Sequence, residues 1–132
     1  MEQLDIENFN ANFVGSNQAN TNSDKNRKVF IPNQGGHDFS KSSKYGTPVF
    51  VTKGLVNRFS VNVMARMWAS SLKSSTKEDY ILLTSLTILS VVGAAIFGYL
   101  HGGINLLIFR NDAYIARHLD FKSLFAEPPL EK

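Results

Sequence analysis

The side chains suited to chemistry fall in four short stretches. Asn33, His37 and Asp38 stand in or beside a glycine-bearing loop, and Lys53 follows an apolar run. Thr84 and Ser85 precede a long apolar stretch, and Arg110 and Asn111 follow another. In open parallel sheets, ligands gather beyond the carboxyl ends of the strands. All eight residues are expected there. A helix beginning near Thr84 and Ser85 would offer free main-chain amides to an anion, with Lys53 and Arg110 to neutralise it. The loop from Asn33 to Gly46 is long for a connection, as ligand-binding loops often are.

Each of these residues has an ordinary structural role as well. Gly35–Gly36 reads as a turn, His37–Asp38 as adjacent surface residues, and Thr84, Ser85 and Asn111 as helix caps. Ser85 sits where a nucleophile elbow would fall, but Leu83–Thr84–Ser85–Leu86–Thr87 lacks the flanking glycines. GxxxxGK[ST], GxGxxG and HExxH patterns are all missing. The chain has no Cys and three His, which removes thiolate chemistry, disulfides and a His-rich metal site. No catalytic set, cofactor or metal is therefore expected.

Charge is unevenly placed. Residues 1–23 carry three acids and no base, while residues 24–73 carry nine Lys and Arg against two Asp. Residues 74–132 hold five bases and six acids. The basic middle could meet a nucleic acid or an acidic surface, though it contains no dense run.

The elements that must position these groups divide the 132 residues into three zones. Residues 1–27 form an Asn-rich arm that is disordered or ordered on a partner; it cannot bury enough apolar surface alone. Phe9 and Phe13 within it are candidate assembly contacts. Residues 28–126 form a single α/β domain, and residues 127–132 a loose, Pro-broken tail. No basic-plus-apolar leader opens the sequence, so a non-secreted, cytoplasmic or particle-associated protein is expected.

Within the domain, Lys28–Asn33, Pro48–Thr52, Tyr80–Thr84 and Ile104–Phe109 read as strands. Pro32 should end the first or place it at an edge. Val61–Lys73 reads as an amphipathic helix, capped by Ser60 and stapled by Phe59 against Met64. Leu86–His101 reads as a second helix, with Gly102 at its C′ position. A third helix is expected over Asp112–Leu124, capped by Asn111 or Asp112. The fold class is thus α/β: a small, mostly parallel, three- or four-stranded sheet with β-α-β crossovers and a C-terminal helix.

The second helix sets a problem. Residues 80–109 contain no formal charge, and residues 81–100 resemble a membrane span. The hydroxyl cluster at Thr84–Ser90 and the Gly102–Gly103 stop favour a buried helix instead. Ser90, Ala94 and Gly98 form a small-residue row that permits close packing. Right-handed crossovers would put both crossover helices on one sheet face and leave the other to the last helix, the arm or a second subunit. The leading expectation is a non-enzymatic structural or interaction subunit of a homo- or hetero-oligomeric assembly, with a virion or other particle as one setting. The alternatives are a small-ligand or nucleotide-type module, and a nucleic-acid-binding accessory protein.

Overall fold

A computed structural model describes residues 26–35, 37–55, 57, 59–84 and 86–126. The amino-terminal arm with Phe9 and Phe13, residue Ser85 and the tail from residue 127 lie outside the described residues. The fold is α/β around one mixed sheet of five strands in the order β2-β1-β3-β4-β5. The strands are β1 (Lys28–Gln34), β2 (Thr47–Lys53), β3 (Tyr80–Leu82), β4 (Gly103–Arg110) and β5 (Ala113–Asp120). The first four are mutually parallel, and β5 runs antiparallel to β4. Helix α1 spans Val61–Ser71, α2 spans Thr87–His101 and the short α3 spans Phe121–Ala126.

The strand count corrects the expected three or four, and the cause lies at the end of the chain. Ala113–Asp120 is a strand, not most of a helix. Ile115 and Leu119 have helical spacing, but two neighbours upstream decide otherwise. Asn111 and Asp112 both take positive φ, 53° and 66°. That pair makes the two-residue turn whose twist suits an antiparallel hairpin. Eight register pairs with β4 then override the helix propensity of Ala116, Arg117 and Leu119. Only the last turn, Phe121–Ala126, is the expected C-terminal helix.

Pro32 neither ends β1 nor marks an edge. The strand runs on to Gln34 in the sheet interior, between β2 and β3. The Lys28 amide points towards β3, donating to Asp79 Oδ1 at 2.9 Å. Strand β3 pairs with β1 only at Val29 and Phe30, so Pro32 interrupts no ladder bond with β3.

Period-two alternation splits the core into two layers. Phe30 and Ile81 face one side and meet Met64, Trp68 and Leu72 from α1, with Leu89 and Phe97 from α2. Both crossover helices therefore cover the same face, as right-handed connections require. Val29, Ile31, Tyr80, Leu82, Leu107 and Tyr114 face the other side. The cover there is the long loop after β1: Phe39 and Tyr45, at the N-cap and the last position of a 3-10 segment at Ser40–Tyr45, pack onto that cluster.

Helix ends depart from expectation. Ser60 occupies the N-cap position of α1 without a side-chain cap bond. Phe59 is 82% exposed while Met64 is 1%, so they form no staple. Leu86, not Thr84, is the N-cap residue of α2, and Gly102 closes that helix at φ 75° with its N–H on Gly98 O at 2.8 Å. Among the described residues no helix is long and apolar enough to cross a membrane.

Candidate functional site

At the carboxyl ends of the parallel strands the sequence-expected residues separate into four groups. Asn33 and Thr52 hold β1 to β2. Asn33 Nδ2 donates to Gly54 O at 3.0 Å, and the Thr52 hydroxyl lies 2.7 Å from Asn33 Oδ1 and 2.8 Å from Pro32 O. Lys53 ends β2, exposed, opposite Gln34. Thr84 Oγ1 accepts the Leu86 amide at 3.2 Å, a local turn at the entrance to α2.

The other two groups meet at the β4–β5 hairpin. Asp38 accepts the Ser40 amide at 2.9 Å, and that bond, with the Ser40 hydroxyl and Lys41, holds its carboxyl below the usual range. His37 lies edge-on to Phe39 with ring centres 6.1 Å apart. Lys41 Nζ sits 2.9 Å from Asp112 Oδ1 and donates to Asp112 O at 3.0 Å. Tyr45 Oη donates to Tyr114 O at 2.8 Å. So the long loop is tied across the sheet to the turn that carries Arg110 and Asn111. Its length is explained by covering a sheet face from β1 to β5.

A second arrangement lies at the opposite, amino end of the sheet, where sequence reasoning did not look. A cleft of about 310 Å³ opens there, lined by Lys77, Glu78, His101, Asn105, His118 and Asp120 among others. Buried Asn105 organises it. Its Nδ2 donates to Lys77 O at 2.6 Å and Asp79 O at 2.8 Å. With both amide protons so committed, Asn105 Oδ1 accepts, and its partner His118 Nδ1 must donate. That fixes the neutral His118 tautomer with its lone pair on Nε2. Burial lowers the His118 pKa, and the nearby Asp120 carboxylate works against that shift.

Asp79 anchors the whole corner. Its carboxylate accepts the Lys28 amide and the Thr76 amide, the latter at 2.8 Å, joining the feet of β1 and β3. The one signal for this corner in the sequence is Asn105, a lone amide inside the apolar run of β4.

His101, on the cleft wall, lies 2.8 Å from Ser75 Oγ. This pair has the wrong polarity for nucleophilic catalysis. The Ser75 hydroxyl donates to Leu72 O at 2.7 Å, so the imidazole must donate to Ser75 rather than take its proton. Among the described residues no group of three or more His, Asp or Glu could hold a metal ion.

The assembly candidates also have places. Ser90 and Gly98 are buried within the chain, and a Cβ on Gly98 would meet the Phe121 ring at 2.8 Å. The small-residue row thus lets β4 and α3 approach α2. A different row of α2 faces outward: Ile88, Val91, Ala95 and Tyr99, all exposed. Among the described residues the bases of the middle region are spread over the start of β1, the loop, β2, α1 and the turn after it. No family model, curated protein or solved structure matches this chain.

Proposed function

We propose that the protein is a non-enzymatic interaction subunit that self-associates through the outer row of α2. One observation carries this reading. Ile88, Val91, Ala95 and Tyr99 recur at three- and four-residue steps on one side of a helix that has no Asp, Glu, Lys or Arg. Val91 is 60% exposed and Tyr99 88%. Exposed helix surfaces ordinarily carry charge, and a contiguous apolar row marks a contact site. An uncharged row is also self-complementary: two copies can bury it against each other without stranding a charge. The proposed surface is complete without the arm.

The test is solution mass by light scattering across a concentration series, with and without detergent. The wild type is expected at a multiple of the chain mass, and Val91→Lys/Tyr99→Lys at the monomer mass with an unchanged circular dichroism spectrum. A wild type that stays monomeric at every concentration overturns the proposal.

A small-ligand module is the second reading, favoured by one feature of the topology. The connections from β1 and β3 leave in opposite directions, so their carboxyl ends border a crevice of the kind ligands occupy. Asn33 and Thr84 stand beside it. A thermal-shift screen of anionic metabolites, repeated on Thr84→Val, tests this; no stabilising compound for the wild type removes it.

A further inference from the structure

Val51 on β2 and the outer side of α1 border a groove of about 380 Å³, lined by Val51, Val63, Arg66, Met67, Ser70 and Ser71. Its apolar residues are open to solvent: Val63 is 46% exposed and Met67 40%. No residue of α2 contributes to it. Three exposed bases accompany it. Arg66 is one of its walls, and Lys53 and Lys73 come two residues after Val51 and Ser71. Val51 packs towards the helix face, so strand alternation puts Lys53 on that side too. Lys73 follows Arg66 by about 10 Å along the helix.

These three side chains make no hydrogen bond, ion pair or ring contact among the described residues. Other bases of the middle region do. Lys28 Nζ donates to Ser74 O, Lys41 pairs with Asp112, and Lys44 lies over the Tyr45 ring. Nor do the neighbouring elements supply a counter-charge. Residues 39–77, which include β2 and α1, contain seven Lys and Arg and no Asp or Glu, and β1 and α2 contain no acid.

We infer that this groove binds a short acidic and apolar peptide segment of a partner protein. Complementarity of charge and of surface carries the inference. Carboxylates of such a segment meet Arg66, Lys53 and Lys73, while an apolar side chain covers Val51, Val63 and Met67. The hydroxyls of Ser70 and Ser71 offer polar contacts at one end. From Val63 to Ser71 the helix rises about 12 Å, the span of about four extended residues. Nucleic acid suits the groove less, because no aromatic ring lines it for a base to stack on. The site is separate from the α2 row and does not depend on that contact.

The test is fluorescence anisotropy on the full chain with a labelled synthetic peptide of alternating Glu and Leu. Peptides of alternating Glu and Ser, and of alternating Lys and Leu, are the controls, with single-stranded DNA as a further probe. The Glu and Leu peptide is expected to bind saturably, at least tenfold more tightly than either control. Arg66→Glu should weaken it about tenfold or more, and Met67→Ser several-fold, both with unchanged circular dichroism spectra. The methyl resonances of Val51, Val63 and Met67 should shift on titration. No binding, equal affinity for the Glu and Ser peptide, binding untouched by Arg66→Glu, or tighter binding of the DNA overturns the proposal. Val91→Lys/Tyr99→Lys should bind the peptide as the wild type does, and Arg66→Glu should keep the wild-type mass. Failure of the groove and failure of the α2 contact are thus read separately.

Discussion

The indole Nε1 of Trp68 on α1 donates to the main-chain oxygen of Leu89 on α2 at 2.9 Å, fully buried. The approach is possible because position 93 has no side chain: a Cβ there would lie 2.3 Å from the indole ring. Mid-helix Gly→Ala normally stabilises by about 1 kcal/mol. Overpacking a rigid ring costs about 1–3 kcal/mol, so steric conflict should win. Gly93→Ala is expected to destabilise by about 1–2 kcal/mol in urea unfolding. Trp68→Phe loses the hydrogen bond but shortens the ring, so the double variant should be more stable than the sum of the two by about 1 kcal/mol. Strict additivity would mean that the two helices can shift apart.

The same contact shows what a sequence can and cannot disclose. Spacing alone announces a buried stripe of Val61, Met64, Ala65, Trp68 and Leu72; Met64, Trp68 and Leu72 are buried and Ala65 half-buried, but Val61, in the first turn, is exposed. Four strands were legible from their apolar runs for the same reason. The fifth was not, because Ile115 and Leu119 fit a helix as well as a strand. Only the main-chain φ of Asn111 and Asp112 and the long-range pairing with β4 separate the two. The amino-end corner was hidden for a related reason. Asp79, Asn105 and His118 are far apart in the chain, and each alone is an ordinary polar residue. Their network exists only once β3, β4 and β5 lie side by side. The loop after β1 announced its length but not its task, since covering a face needs no motif.

The hairpin turn makes a separate expectation. Asp112 at φ 66° carries left-handed strain that glycine would relieve, a gain of about 1 kcal/mol. The exchange also removes the exposed ion pair with Lys41, which contributes no more than about 0.5 kcal/mol. Asp112→Gly should therefore be neutral to slightly stabilising in thermal unfolding. Asn111→Val, which places a β-branched residue at φ 53°, should destabilise by about 1–2 kcal/mol. A stabilising Asn111→Val would show that the turn is not of this type.

One of the ties between loop and sheet is a single hydroxyl. Tyr45 Oη donates to Tyr114 O, and burial raises the Tyr45 pKa because the phenolate would be poorly solvated there. Tyr45→Phe keeps the ring, which stands edge-on to Tyr80 with centres 5.4 Å apart. The cost should be that of one hydrogen bond, about 1 kcal/mol. The loop amides around Ser42 should exchange faster, while those of α1 on the far face stay unchanged. Unaltered exchange at Ser42 would mean that ring packing and the Lys41–Asp112 contact secure the loop without this bond.

His118 should make stability depend on pH in the mildly acid range. Its folded pKa lies below the ordinary 6.5 because burial disfavours the imidazolium, with Asp120 only partly offsetting that. Above about 6.5 both folded and unfolded forms are neutral, and the group's contribution is fully present. As pH falls below that value, the unfolded state takes up the proton first and stability declines, until the lowered folded pKa is passed and the loss levels off. Protonation places no second donor against Asn105 Oδ1, because Nδ1 already donates; the penalty is desolvation of the charge. Urea midpoints measured between pH 7.5 and pH 5 should therefore fall for the wild type and fall less for His118→Asn. Asn105→Ala should cost stability at every pH, because it leaves the Lys77 and Asp79 carbonyls and the imidazole without their shared partner. An identical slope in wild type and His118→Asn would place the acid sensitivity elsewhere in the molecule.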